Sequence, residues 1–374
     1  MRILIVSVTT GYGHHSTAAA ISDEFKARGA EVVVTDLYEY CSTFMYNAMD
    51  KGYLFSTRHL RRSYSQTYTM LESNEKLRKI VATITGNTLL CNKFAQYFYG
   101  FSPDAVIATH VLAAQVLDEL KRRKPLSIPV IGINTDYCIQ PMWEDLHDIE
   151  YIVTPSELLN FNANARGIAL EKLLPFGLPV KPKFKKSIEK SEARKLLNIP
   201  NKNTILVMGG SMGYGNIANT VKEILSCGMD FQVLCICGNN AKLKESIDKI
   251  SSPDLMVYGF VDNVELFMDA SDCIVTKPGG LTLTEILVKQ LPAILMNPIP
   301  GHEERNIDFV TNNGGAIKVT ETFSVSEAIY FLFTKPERLK LMEQSLALIA
   351  KPDATERICN FVEYLVKTTD RAYS

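Results

Sequence analysis

The sequence predicts an α/β protein with two doubly wound, parallel-sheet domains. Three observations predict it. Short apolar runs alternate with helical patterns along most of the chain. Two of those runs end in glycine-rich turns that open helices: Thr9-Thr10-Gly11-Tyr12-Gly13-His14-His15, and Gly209-Gly210-Ser211-Met212-Gly213-Tyr214-Gly215. The 374 residues also exceed one ordinary domain.

In the first half, strands are expected at residues 2–8, 31–37, 104–109, 128–134 and 151–154, with a helix at 16–26 behind the first turn. In the second half they are expected at 204–208, 231–237, 256–260, 272–276 and 293–296, with a helix at 217–225. Pro179, Pro182 and the lysines at 181, 183, 185 and 186 mark a connector within 178–202. The division expected is therefore 1–182 and 183–352. The last segment, 353–374, carries a helical face (Ile358, Phe361, Val362, Leu365) that packs back on the first domain. Two such domains meet along a cleft.

Composition narrows the function. Apolar residues make up 46% and charged residues 22%, enough for large cores. A net charge of −1 gives no support to general nucleic-acid binding. The eight cysteines show neither zinc nor redox spacing and read as reduced, buried thiols of a cytoplasmic protein. No apolar run reaches the roughly 18 residues of a spanning helix, and the chain opens on a strand rather than a signal peptide. Any membrane contact is expected at the surface.

Segment 38–100 breaks the alternation. It is rich in aromatics, and residues 51–80 hold seven Lys or Arg against two acids, a net +5. Leu60, Tyr64, Tyr68 and Leu71 share a helix face beside Arg58, Arg61 and Arg62, with Tyr53 and Phe55 just before. That combination suits an anionic membrane surface. An ordinary helical insertion whose tyrosines fill a core is the other reading.

The most informative stretch is Thr276-Lys277-Pro278-Gly279-Gly280-Leu281-Thr282-Leu283-Thr284-Glu285. A buried strand there turns into a helix through two glycines. Unpaired amides and the positive end of the helix dipole favour phosphate at such a corner. Glu285, one turn in, is placed to hold a ribose. The first glycine turn alone is weak: a dinucleotide site using Asp36 lacks its third glycine, where Ser16 stands. A Walker loop is excluded, since no Gly-Lys-Ser/Thr follows either turn.

With Asn134-Thr135-Asp136-Tyr137-Cys138 and Gly301-His302-Glu303-Glu304-Arg305-Asn306 added, the chain resembles a family over most of its length. It is similar to the lipid-modifying nucleotide-sugar glycosyltransferases: the plant monogalactosyldiacylglycerol synthases and bacterial processive diacylglycerol glucosyltransferases. A more distant relative is the peptidoglycan lipid-intermediate N-acetylglucosaminyltransferase. The resemblance implies a GT-B fold, two Rossmann-like domains facing a cleft, with acceptor on the N-terminal side and UDP-sugar on the C-terminal side. It implies an inverting enzyme that needs no metal or other cofactor; the donor half shows no paired-Asp ion site.

By position, the resemblance implies that Gly210, Ser211, Met212 and Gly213, with Gly279, Gly280, Leu281 and Thr282, cradle the diphosphate. Glu285 holds the ribose, Phe260 and Val261 meet the uracil, and His302, Glu303 and Asn306 lie at the sugar or ribose. The bacterial glucosyltransferases carry Gln where this chain has His302, which bears on donor choice. His14, after Gly13, falls on the family's base, and Asp136 orients it or binds acceptor. An imidazole suits proton removal near neutral pH. His59, His110 and His147 read as structural or surface residues.

The expected activity is transfer of glucose or galactose from a UDP-sugar to diacylglycerol, at the inner face of the cell membrane, giving a β-glycolipid, with the number of sugars added left open. Rival readings are N-acetylglucosamine transfer to a polyprenyl-pyrophosphate lipid, a sugar-nucleotide 2-epimerase and a non-catalytic UDP-sugar sensor.

Overall fold

The computed structural model describes residues 1–9, 12–40, 61–86, 90–124, 126–210, 213 and 215–373, of which 12, 61–64, 82–86, 90–91 and 369–373 are described as backbone only. The chain forms two compact units. One is Met1–Lys181 with Ile299–His302 and Lys351–Ser374; the other is Pro182–Pro298 with Glu303–Ala350.

The first unit contains strands β1 (Arg2–Ser7), β2 (Glu31–Asp36), β3 (Ala105–Ala108), β4 (Val130–Ile133), β5 (Tyr151–Val153) and β6 (Leu173–Leu174). They form one parallel sheet in the order β2-β1-β3-β4-β5-β6. Ile3 to Val6 are wholly buried because helices cover both faces of a parallel sheet, so its inner strands read as unbroken apolar runs. Its helices are α1 (Tyr12–Ala27), α2 (Arg61–Ser73), α3 (Glu75–Gly86), α4 (Leu90–Phe101), α5 (Val111–Arg123) and α6 (Asn160–Ala165).

The second unit contains β7 (Thr204–Met208), β8 (Gln232–Ile236), β9 (Leu255–Tyr258), β10 (Cys273–Thr276), β11 (Ala293–Leu295) and β12 (Ala316–Lys318). They are again all parallel, in the order β12-β11-β10-β7-β8-β9. Its helices are α7 (Lys190–Leu196), α8 (Ile217–Leu225), α9 (Ala241–Asp248), α10 (Val264–Asp269), α11 (Gly280–Lys289), α12 (His302–Asn312), α13 (Val325–Phe333) and α14 (Glu337–Ile349). The last helix, α15 (Ala354–Tyr373), returns to the first unit and packs on α1. Arg28, just past α1, reaches Asn360 Oδ1 at 2.6 Å and Glu363 Oε1 at 3.2 Å.

Strand order places the functional loops. In the first sheet the chain builds β2 on one side of β1 and β3 on the other; in the second, β8 and β10 flank β7 in the same way. Loops leaving β1 and β3, or β7 and β10, therefore diverge, and a crevice opens at the carboxyl ends of those strands.

The expected strands are all present, most of them a residue or two shorter. The sequence pattern missed β6 and β12, whose two and three residues show no readable period. Segment 38–100 contributes α2, α3 and α4. The connector ends sooner than its prolines suggest: Arg194 on α7 is buried, bonding Asp272 Oδ2 at 2.8 Å and the Ala270 carbonyl at 2.9 Å within the second unit.

Gly132 on β4 allows Trp143, 2% exposed, to approach the strand closely; a Cβ at 132 would sit 2.4 Å from the indole Cζ3. Gly132→Ala should destabilise the protein by about 1–3 kcal/mol, the usual range for overpacking. Urea denaturation checks this, and an unchanged midpoint would show that the indole moves aside freely.

Candidate functional site

The first crevice lies where the loops after β1 and β3 part. His14 sits in the first turn of α1, half-buried. Its Nδ1 lies 2.6 Å from the Thr109 carbonyl, at the end of β3. A carbonyl only accepts, so Nδ1 carries the proton and the Nε2 lone pair is left for chemistry. Burial lowers the His14 pKa below the ordinary value, as do the neighbouring His15 and His302; the Thr109 bond and the Asp136 charge oppose this without reversing it. The imidazole is thus neutral at physiological pH.

His15, next in the helix, has another task. Its Nε2 lies 2.8 Å from Thr9 Oγ1, and Asp36 at the end of β2 accepts from Thr9 and pairs with His15 at 3.4 Å. Asp36 is buried enough to favour its neutral form, yet bonds from His15, Thr9 and the Tyr38 amide hold its carboxyl below the usual range. This carboxylate braces the loop.

Asp136 is buried in the turn after β4. Asn134 ties that turn by donating to the Asp136 and Cys138 carbonyls, both at 2.9 Å, and the Asp136 carboxylate accepts from Gln140. The close hold on His14 Nδ1 comes from the Thr109 carbonyl, with Thr135 Oγ1 3.4 Å away, and Asp136 acts on the ring through charge. His110 follows Thr109, caps α5 and meets the His14 ring edge-on at 4.6 Å between centroids. Sequence reasoning read His110 as structural; the structure places it beside the candidate base. The readable signal was its position, a polar residue between an apolar strand and a helix.

The turn Ile299–His302 belongs to this unit. Gly301 has φ +91°, and a Cβ there would lie 2.7 Å from the Tyr68 ring, so only glycine lets Tyr68 pack so closely. The His302 ring lies 6.4 Å from that of Tyr68, and its carbonyl accepts from Cys138 Sγ at 4.0 Å.

The second crevice lies between the loops after β7 and β10. Gly279 caps α11 and Gly280 is its first residue, so the free amides of the helix open there. Lys277 reaches across: its Nζ lies 2.5 Å from Glu303 Oε1, and its Cε would be 3.4 Å from a Cβ on Gly210, a residue with φ +69°. Glu303 is 3% exposed, in the first turn of α12. Asn306, one turn on and fully buried, donates to the Pro278 carbonyl at 3.0 Å and so fixes the corner. Leu281, Thr282 and Glu285 are half-buried on α11, and Thr284 is turned inward, bonding the Gly280 carbonyl at 2.8 Å.

Gly210, Lys277, Gly279, Gly280, Glu303 and Asn306 thus come together. Phe260, 61% exposed, and Val261 follow β9 at the far edge of the sheet. Ser211, Met212, Tyr53, Phe55 and Arg58 lie outside the described residues. Arg61, Arg62 and Tyr64 are described only as backbone of α2. Lys277 had no assigned role in the sequence; its ion pair with the buried Glu303 gives it one.

Comparison with known proteins now decides the family. Residues 14–180 match the model of monogalactosyldiacylglycerol (MGDG) synthase, and residues 204–358 match the C-terminal domain of glycosyltransferase family 28. The chain belongs to this glycosyltransferase family. Over 99% of its length it is 27% identical to the processive diacylglycerol beta-glucosyltransferase of Bacillus pumilus, covering 95% of that protein. Among solved structures, Acinetobacter baumannii MurG superposes with a TM-score of 0.62 at 14% identity, covering 97% of this chain and 99% of that one. The UDP-GlcNAc 2-epimerase of Neisseria meningitidis does so at 0.58 and 14%, covering 96% and 99%. These likenesses show the fold, which is of the GT-B type.

In this glycosyltransferase the Lys277–Glu303 pair offers a direct test. Lys277→Met should cost about 1–3 kcal/mol, the scale of stranding a buried polar group. Adding Glu303→Gln should recover part of that loss, because no charge is then left unpaired. A double-mutant cycle by thermal unfolding measures this; strictly additive losses would mean the two side chains act separately.

Proposed function

We propose that this glycosyltransferase moves a hexose from a UDP-sugar to the hydroxyl of diacylglycerol, inverting the anomeric centre. The observation that carries the reading is the contrast between its two crevices. One holds a neutral imidazole with a lone pair to spare. The other holds a glycine-capped helix start and a lysine, a setting for a diphosphate. The family models and the diacylglycerol-acting relatives agree with such a division.

The chemistry follows from the residues. His14 Nε2 takes the proton of the acceptor hydroxyl as its oxygen attacks the anomeric carbon. The Thr109 carbonyl holds the ring in the tautomer that makes this possible. The sugar–phosphate bond breaks as the new one forms on the opposite face, so configuration inverts. Charge builds on the departing diphosphate, where the amides of Gly280 and Leu281 and the Lys277 ammonium meet it without a metal ion, the Gly279 N–H being given to the Lys277 carbonyl. Glu285 binds the ribose. Asp136, close enough for its charge to act on His14, favours the imidazolium that forms during transfer.

Diacylglycerol stays in its bilayer, so we place the enzyme at an anionic membrane surface, on the cytoplasmic side. Among the described residues no helix is long and apolar enough to cross a membrane. Met70 on α2 and Ile80 on α3 are 58% and 55% exposed, apolar contacts suited to a lipid interface.

The test supplies UDP-glucose, UDP-galactose and UDP-N-acetylglucosamine separately over diacylglycerol vesicles, with a polyprenyl-pyrophosphate lipid as a second acceptor. A β-hexosyl diacylglycerol is the expected product. Transfer only to the polyprenyl lipid would overturn the reading.

His14→Ala should keep UDP affinity while lowering turnover by about 10²–10⁴, the usual contribution of a general base. A base must be unprotonated. Because the His14 pKa is lowered, activity in the wild type should persist as pH falls past about 6.5, the ordinary imidazole value, and be lost below it. A kcat/KM profile with its acid limb above that value would remove His14 from the role. Separately, Glu285→Ala should weaken UDP by about 1.5–3 kcal/mol, the scale of a hydrogen bond to a charged group; calorimetry with UDP measures it.

A further inference from the structure

His110 has no task in the mechanism above, although it lies against the base. Its Nδ1 accepts the Leu112 N–H at 3.0 Å and so caps α5. The ring proton is therefore on Nε2. Ser, Thr, Asn or Asp is the usual residue for such a cap. What imidazole adds is an N–H on its far side.

His14 is arranged in the opposite sense. Its Nδ1 donates to the Thr109 carbonyl, and its lone pair is on Nε2. The two rings meet edge to face, 4.6 Å apart and at 72°. Neutral imidazoles of opposite tautomer, side by side, offer one lone pair and one N–H to a small group rich in oxygen.

We propose that His110 is a second acceptor-binding residue: its Nε2–H holds an acceptor oxygen next to the hydroxyl that His14 deprotonates. In a diacylglycerol that neighbour is an ester oxygen; in a glycosylated acceptor it is a sugar hydroxyl. The inference rests on His14 being the base. His110 is well suited to stay a single donor. Protonating Nδ1 would break the cap and put a cation at the positive end of a helix dipole. Burial, His14 and His302 all push its pKa well below the ordinary value. The ionisable groups acting on His14 itself are Asp136, His15 and His302.

His110→Asn and His110→Asp separate the cap from the donor. Both side chains give the Leu112 amide an oxygen to bond, so both variants should unfold near the wild-type temperature. Asn retains an N–H donor; Asp at neutral pH has none and adds a negative charge beside His14. His110→Asn should hold the KM for the lipid acceptor within about threefold, whereas His110→Asp should raise it about tenfold or more, as loss of one hydrogen bond to a ligand does. UDP affinity should be unchanged in both. The acid limb of kcat/KM should move to higher pH in His110→Asp alone, because a carboxylate favours the imidazolium form of His14. Active variants with equal acceptor KM and equal pH profiles would overturn this inference and leave the proposed function standing. A wild-type protein that glycosylates no diacylglycerol would overturn both.

Discussion

Both candidate sites of this protein depend on one topological constraint, the reversal of strand order beside β1 and beside β7. In a parallel sheet every strand delivers its carboxyl end to the same edge, where the next helix begins with unpaired amides. Were the order monotonic, neighbouring loops would cover one another. Reversal sends the loop after β1 to one face and the loop after β3 to the other, and it does the same for β7 and β10. His14 and Thr109 come from the first pair of loops; Gly210 and Lys277 come from the second. Residues 95 positions apart can thus share a hydrogen bond of 2.6 Å without long loops to bring them together.

The two crevices use that geometry for opposite electrostatic ends. In the first, the proposed base must stay unprotonated, so positive charge is to be kept away from it. Burial, the helix start and the neighbouring His15 and His302 all disfavour protonation of His14. On the proposed reading the second crevice serves an anion, and it keeps a cation ready. A buried carboxylate, Glu303, and a buried amide, Asn306, fix Lys277 and the Pro278 turn, so that little reorganisation is left for the moment of bond cleavage.

Much of this was legible in the sequence. Long buried strands such as 204–208 announce themselves as apolar runs, and glycine turns mark where they meet helices. The corner at Gly279 was readable because a helix N-terminus is a local feature. What could not be read is what depends on register between distant strands. Thr109 carries no motif, and its carbonyl matters only because β3 lies beside β1. His110 looked idle for the same reason: its neighbour is 96 positions earlier in the chain, and the contact arises from the crossover, not from spacing. β6 and β12 are too short for periodicity to reveal and are held by their neighbours in the sheet. Charge counting misled at Arg78. It belongs to the basic stretch 51–80, yet it is buried, bonding the Leu71 and Glu72 carbonyls at 3.0 and 3.1 Å and pairing with Glu144 and Asp145, each at 3.2 Å. A cation with that many fixed partners is structural.

That buried arginine in turn bears on the proposed lipid-facing role of the insertion. Helices α2, α3 and α4 hang between β2 and β3 of the first unit, where the corresponding connection in the second unit, from β8 to β10, adds strand β9 to the sheet between α9 and α10. An insertion of this kind has few sheet contacts to hold it. Arg78 supplies the missing rigidity: it satisfies carbonyls at the end of α2 from the next helix and ties both to the turn at Trp143–Asp145. Arg166, bonded to Glu72, adds a second tie. Tyr68, packed on Gly301, fixes the other side of α2. With its inner face committed in this way, the corner is held with Met70 and Ile80 exposed to solvent. An apolar residue kept outside by buried ion pairs is one that collapse of the helix cannot hide, and a fixed apolar edge loses less conformational freedom on meeting a bilayer than a loose one.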